Sequence, residues 1–384
     1  MLDPNNRQKK KIAVYLSLIL IFVPFVFIYL KYLSVEEKNE PIVKVIKEVQ
    51  IKEIKSSDAT IYRQDSIGGV IQIPFEVRDM KISNDKKRLF TLGHDRDGIS
   101  IIDISNIEKI KLLGLFYFPE AKHYVEDIDI AESKDGQSLY VVSPNIGVLK
   151  LDIRDFKNIK VIAKFDMKGC FRIKLSNDGN LAFIKTIDGM AILDLSKGYM
   201  QKVGEFKGFR GAAPIEKGDI AIYSDKYIFM SDFEGLYMFD ISDPKNIKKV
   251  ASKKGTGAII SIKISEDKKR LYMNKLESLD VYDISEFGII KPLGKYIADG
   301  RLYNFDVSKD RHKAYLAISR GGKNSINLSG VDIVNLSNEL EPIRMIKRNA
   351  PEAEDVVMLL SPDEKYMIVS TEVKFEGFIG VYQR

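Results

Sequence analysis

Short apolar runs alternate with polar punctuation along most of this chain, and one pattern of the two kinds recurs: Gly, apolar, any residue, apolar, apolar, Asp. It stands as Gly98-Ile99-Ser100-Ile101-Ile102-Asp103, as Gly189-Met190-Ala191-Ile192-Leu193-Asp194 and as Gly235-Leu236-Tyr237-Met238-Phe239-Asp240. In Gly147-Val148-Leu149-Lys150-Leu151-Asp152 a lysine takes one apolar position. Two copies drift: Ser278-Leu279-Asp280-Val281-Tyr282-Asp283 lacks the Gly, and Gly330-Val331-Asp332-Ile333-Val334-Asn335 replaces the Asp. A degenerate copy opens at Gly377 and reaches Gln383. A second landmark, Ser-x-Asp after a short apolar run, precedes most copies: Ser83-Asn84-Asp85, Ser133-Lys134-Asp135, Ser176-Asn177-Asp178, Ser265-Glu266-Asp267, Ser308-Lys309-Asp310 and Ser361-Pro362-Asp363. The stretch from Pro214 to Asp219 lacks it, which leaves the fourth copy the least defined.

Each unit reads as an apolar strand, a Ser/Asp turn, a second strand, a Gly-opened third strand ending in Asp, a turn, and a fourth strand such as Lys111-Phe118 or Lys160-Phe165. Ser and Asp side chains bond nearby backbone N–H groups in turns and so punctuate strands. The Gly suits a tight turn with positive φ. Four short strands in roughly 40–50 residues make one blade of a β-propeller. The fold class is therefore all-β, a seven-bladed propeller over residues 60–384, with six to eight blades bounding the count. The last copy ends without a fourth strand, and Gly69-Val70-Ile71-Gln72-Ile73-Pro74 is strand-like but unclaimed. Residues from about Ser66 to Ile73 are therefore expected to complete blade seven, because an open edge exposes unpaired backbone groups.

The segment Gly235-Leu236-Tyr237-Met238-Phe239-Asp240-Ile241-Ser242-Asp243-Pro244-Lys245-Asn246-Ile247 resembles the LVIVD-repeat β-propellers. So do Asp152-Ile153-Arg154-Asp155-Phe156-Lys157-Asn158-Ile159 and Asp103-Ile104-Ser105-Asn106. The resemblance spans about residues 78 to 384. It implies that these residues form the third strand of a blade and the turn after it, and it implies no defined reaction. The chain has no Trp, which sets it apart from WD-type propellers.

The pattern changes in the first forty residues. From Ile12 to Leu30 every residue is apolar or aromatic except Ser17 and Pro24. As a helix this run would span about 28 Å, close to the hydrocarbon thickness of a bilayer. Arg7, Lys9, Lys10 and Lys11 precede it, while Glu36, Glu37 and Glu40 follow. That asymmetry leaves the N-terminus in the cytoplasm and sends the rest across. The run is longer than a signal-peptide core and ends Tyr29-Leu30-Lys31-Tyr32-Leu33, without small residues for cleavage. The expected layout is a cytoplasmic tail at 1–11, a single-pass anchor at 12–32, a charged spacer at 33–59 and the propeller beyond. The propeller is expected outside the cytoplasmic (inner) membrane, in the periplasm of a Gram-negative cell.

Composition narrows the chemistry. Lys+Arg number 60 against 54 Asp+Glu, an excess too thinly spread for a nucleic-acid surface. Cys170 is the only cysteine, so no internal disulfide or cysteine metal cluster can form. The three histidines, His94, His123 and His312, lie far apart, and no nucleophile elbow or phosphate-binding loop is present. Asp103, Asp152, Asp194, Asp240 and Asp283 each end a strand and begin a turn, which assigns them to Asx-type turns. Aligning the innermost strands on Met80 and Ile82 places Asp79, Asp127, Arg172, Ser261 and Asn304 along the axis. Carboxylates converging there would take Ca²⁺, a hard cation that prefers oxygen ligands, and would suit a lactonase-like propeller hydrolase. Otherwise the axis is a polar, water-filled channel and no cofactor is needed. Loops of blades seven, one and two gather His94, Asp95, Asp97, Glu120, His123, Glu126, Asp127, Glu352, Glu354 and Asp355 on the upper face, and the insertion from Ser319 to Gly330 falls there too. Long loops on a rigid scaffold are where binding tends to reside, so a protein partner is expected on this face.

Overall fold

In the computed structural model the repeats close into a ring of seven four-stranded antiparallel units, two of which carry a fifth strand. The structure describes residues 52–55, 60–64, 66–67, 70–93, 98–118, 128–209, 218–319, 330–336, 343–347, 356–373 and 376–384, the backbone alone for 52–55, 60–64, 343–347, 372–373 and 376. Blade one runs Val77–Ile82, Arg88–Gly93, Gly98–Asp103 and Lys111–Tyr117 from axis to rim. Blades two to four open on Asp129–Glu132, Cys170–Leu175 and Ile220–Ile222. Blades five to seven open on Ser261–Ile264, Arg301–Val307 and Val356–Leu360.

The core lies between the blades. Seven apolar clusters, each shared by two neighbouring blades, follow one another around the ring. Blade one meets blade two through Phe90, Ile99 and Ile101 against Ile130, Val141 and Leu149. Blade seven meets blade one through Val357, Ile368 and Ile379 against Met80, Leu89 and Ile102. Alternate residues of the middle strands thus serve opposite interfaces, which is why those strands read as nearly continuous apolar runs.

The repeat signature resolves into three local devices. In the first turn of blade two, Ser133 Oγ donates to Asp135 Oδ1 at 2.6 Å and accepts from the Ser138 N–H at 2.9 Å. The same Ser-x-Asp bond holds in blades one, three, five, six and seven. The Asp that ends each Gly-opened strand accepts from the N–H two residues on, as from Ser105 to Asp103 at 2.8 Å and from Ser242 to Asp240 at 2.9 Å. These carboxylates are turn-formers. The strand-opening Gly departs from its expected role: only Gly147 has a positive φ, at 94°. At Gly98 and Gly189 a Cβ would stand 1.9 and 1.8 Å from the carbonyl oxygens of Phe116 and Phe206. The residue is Gly because the fourth strand approaches too closely for any side chain.

Ring closure occurs as the strand count requires. Val70–Ile73 pairs antiparallel with Glu376–Gln383, with Ile71 opposite Ile379 and Ile73 opposite Gly377. Ser66 and Ile67 extend the contact, the Ile67 N–H donating to Val381 O at 2.8 Å. Two further strands lie upstream. Lys52–Lys55, inside the stretch expected as spacer, runs parallel to Lys291–Ile297 on the rim of blade five. Thr60–Gln64 runs parallel to Ile343–Lys347 on the rim of blade six. The propeller unit accordingly begins at Ile51. Among the described residues no helix is long and apolar enough to cross a membrane, and the expected anchor at 12–32 lies outside them.

Candidate functional site

The innermost strands project two tiers of side chains toward the axis. Counting back from the Ser of each first turn, or from the matching apolar residue in blade four, puts Asp79, Asp129, Arg172, Asp219, Ser261, Asn304 and Val357 in one tier. Two residues on, Lys81, Ala131, Lys174, Ala221, Lys263, Asp306 and Leu359 form the second. In blades one, three and six a bulge falls just before the first-tier residue, between Val77 and Asp79, Cys170 and Arg172, and Leu302 and Asn304. Bulges re-aim side chains, and these three direct Asp79, Arg172 and Asn304 at the axis.

Residues of both tiers line a cavity of about 740 Å³, among them Asp79, Arg172, Ser261 and Asn304. Asp127 lies outside the described residues, and the register it was assigned belongs to Asp129. Asp219, Lys81, Lys174, Lys263, Arg78 and Arg301 also line the cavity, together with the ring of Tyr303. A second cavity of about 420 Å³ toward the Ser-x-Asp turns shares Lys81, Ile82 and Lys174 with the first. Polar residues therefore follow the axis from one face toward the other.

The carboxylates of this axis are engaged by the fold. Asp129 Oδ1 accepts from the Ile130 N–H at 2.9 Å, and its Oδ2 accepts from the Ile173 N–H of the next blade at 2.8 Å. Lys81 of the preceding blade completes the set by donating to Asp129 Oδ1. Asp219 repeats the device one turn of alternation later, accepting from Ile220 N–H at 2.8 Å and from Ile262 N–H of blade five at 3.0 Å. Asp306 does so between blades six and seven, accepting from Val307 N–H and Leu360 N–H at 3.0 Å each while Lys263 donates at 2.9 Å. Asn304 adds a two-way bond to the Met358 backbone. One side chain thus holds two innermost strands in register at every second interface.

Electrostatics separates the two neighbouring acids. Burial pushes the Asp79 carboxyl up, and Lys81 and Arg172 only partly offset it. Burial also opposes charge on Asp129, but Lys81, Lys174 and Arg172 together outweigh it and hold its carboxyl below the usual range. For Lys174 burial works against the ammonium, yet Asp219, Asp129 and Asp79 overcome it and hold the group above the usual lysine range. Among the described residues no three His, Cys, Asp or Glu side chains come together in a metal-binding group.

Cys170 is fully buried at the start of blade three, its Sγ donating to Ser143 O at 3.1 Å. Burial pushes the thiol up to about 11. A thiolate-directed reagent is therefore expected to leave the native protein unmodified and to label it fully after unfolding, as mass spectrometry would show. Rapid labelling of the native protein would contradict this placement.

The residues expected on the upper loop face, His94, Asp95, Asp97, Glu120, His123, Glu126, Glu352, Glu354 and Asp355, lie outside the described residues, as do residues 320–329. His312 is described and sits in a turn, its N–H donating to Asp310 Oδ1 at 2.9 Å.

No family model matches the chain. No curated protein matches it by sequence either. Solved structures do match it. A functionally unknown protein from Desulfotomaculum acetoxidans superposes with a TM-score of 0.55 at 14% identity, covering 69% of this chain and 84% of that one. The Cps50 (Swd1) β-propeller domain of Myceliophteria thermophila superposes with a TM-score of 0.58 at 13% identity, covering 81% of this chain and 99% of the domain. At such identities the likeness establishes the seven-bladed propeller fold and nothing finer.

Proposed function

We propose that this chain is a membrane-anchored, extracytoplasmic propeller of the LVIVD-repeat kind, serving as a protein-binding or scaffold module. The observation that carries the reading is the use to which the axial carboxylates are put. Asp129, Asp219 and Asp306 spend their oxygens on backbone N–H groups and lysines that tie blade to blade. A hydrolase site with an axial metal would need such carboxylates turned toward the ion. What the ring offers instead is a rigid frame carrying loops on one face. Two of those loops present apolar side chains to solvent, Ile187 in blade three and Phe233 in blade four. Rigid scaffolds bearing exposed loops are common recognition surfaces.

The apolar run from Ile12 to Leu30 and the basic cluster from Arg7 to Lys11 support the anchor and its orientation. Protease added to intact spheroplasts should remove the propeller and spare the tail. Photocrosslinkers placed at Ile187 and Phe233 should then capture a discrete protein in cells, absent when they are moved to the rim at Val161 or Ile162. A C-terminus reporting from the cytoplasm would overturn the orientation. Identical capture from both sets of positions would overturn the upper face as the docking surface.

A further inference from the structure

We infer that the 740 Å³ axial cavity is a receptor for the oxyanion group, phosphate or carboxylate, of a small molecule. The argument is a balance of donors and acceptors. Six cationic side chains line this cavity against three carboxylates, and two carboxylates outside its lining, Asp306 and Glu76, are paired with Lys263 and Arg78. The carboxylates are taken up within the fold: Asp129 by two N–H groups and Lys81, Asp219 by two N–H groups, Asp79 by the Met80 N–H at 2.8 Å. Three of the cations are engaged in turn, Lys81 with Asp129, Lys263 with Asp306 and Arg78 with Glu76, but the other three are not. Among the described residues the Lys174 ammonium has no hydrogen bond or ion pair, although it lines both axial cavities. Arg172 donates one hydrogen bond, to the Phe171 carbonyl at 2.9 Å, and forms no ion pair among the described residues. Arg301 rests over the Tyr303 ring, 5.1 Å from its centroid, and likewise has no anionic partner among them.

What the axis holds in reserve is therefore donor capacity, and that selects an acceptor-rich anion over a metal ion. Guanidinium groups present paired N–H donors that match the oxygens of phosphate and carboxylate. Lys174 stays charged at the axis because the neighbouring acids hold its proton, so it adds a fixed positive charge below them. The volume suits a metabolite-sized guest, within the roughly 300–1,000 Å³ usual for such sites. The Tyr303 ring, over which Arg78 also lies at 5.9 Å, gathers two guanidiniums at the wall of the cavity. The proposal stands apart from whatever docks on the loop face.

The test uses the full-length protein in mild detergent and a phosphate-free, carboxylate-free buffer at constant ionic strength. Inorganic phosphate and citrate are titrated by calorimetry and by thermal melting, with sodium chloride as the ionic control. A saturable heat and a melting temperature raised by a few degrees for one or both anions are expected, since a ligand that binds only the folded state stabilises it. The anion that binds more tightly identifies the headgroup class. Arg172→Gln, Arg301→Gln and Lys174→Gln should each weaken binding at least tenfold while melting cooperatively in chloride alone. Arg172→Lys should bind at an intermediate level, which keeps the test valid where the Gln variant fails to fold. Lys197→Gln, on the exposed rim, should bind as the parent does. Absence of a saturable heat for both anions, equal binding by parent and axial variants, or stabilisation by Ca²⁺ in place of the anions would each overturn the assignment.

Discussion

A chain that begins at Phe75 is expected to melt roughly 10 °C below one that begins at Ser66. The nine residues between those starts supply the fourth strand of blade seven. Ile73 is fully buried in the cluster that joins blades seven and one, and Ile71 packs against the same cluster. Removing both forfeits about 1.5–3 kcal/mol each in transfer free energy, with a further cost for the void they leave. The Glu376–Gln383 strand would also lose its outer partner, and an unpaired edge invites association with other chains. A loss of about 5 kcal/mol is a large share of a domain's total stability. Calorimetry of the two chains measures the difference, and light scattering should show the shorter one aggregating first. Equal melting temperatures would mean that the ring is held by the inter-blade clusters alone.

Asp129→Ala should cost about 3–5 kcal/mol at neutral pH, because it leaves a partly buried ammonium without its ion-pair partner and a buried N–H unsatisfied. The charge is Lys81 and the N–H is that of Ile173, so the damage falls on both neighbours of blade two. Asp79→Asn should be neutral or stabilising, although the two acids are equivalent by repeat. Asn keeps an oxygen for the Met80 N–H and removes a charge that burial disfavours. Acid titration separates them further. Asp129 is held below its unfolded value, so its contribution is present above about pH 4 and is lost as pH falls through the folded value. Asp79 is held above its unfolded value, so it favours the folded state below that pH and loses this as pH rises through the folded value. Urea unfolding between pH 3 and 7 should show the Asp129→Ala deficit shrinking toward acid and any Asp79→Asn gain growing toward neutrality. An Asp129→Ala loss under 1 kcal/mol, or an equal loss from both, would show that the inter-blade bridge contributes little.

The ring was legible in the chain because its signature is local. A Ser-x-Asp turn closes on itself within six residues, as Ser133, Asp135 and Ser138 show, and no distant partner is needed to recognise it. The closing strand was legible for a different reason: a strand count left one edge open and one run unassigned. The axial tiers were only partly readable. Period-two alternation makes Ile128 and Ile130 interchangeable, so a two-residue slip preserves the face and yields Asp127 where the structure has Asp129. The first-turn Ser would have served as the ruler, since Asp79 and Asp129 stand equally far ahead of Ser83 and Ser133. Asp219 was hidden because blade four lacks that landmark. The rim strands Lys52–Lys55 and Thr60–Gln64 carry a β-compatible alternation, but their partners lie more than two hundred residues away, and no local pattern names them. The role of Gly98 and Gly189 was misread for the same reason: the crowding comes from another strand's carbonyl.

The three N-terminal strands have a consequence for the order of events during synthesis. Lys52–Lys55 and Thr60–Gln64 pair with the outer strands of blades five and six, and Val70–Ile73 is itself the outer strand of blade seven. The ribosome therefore produces the first pieces of the ring long before their partners exist. At about 5–20 residues per second, Val70–Ile73 waits some fifteen seconds to a minute for Gly377–Gly380 to be made. Blades one to four can assemble in that interval, each on the one before. The early segment meanwhile remains a nascent chain with open backbone groups and three unfilled engagements, and it is the part of the domain for which a holding chaperone would have the most time to act.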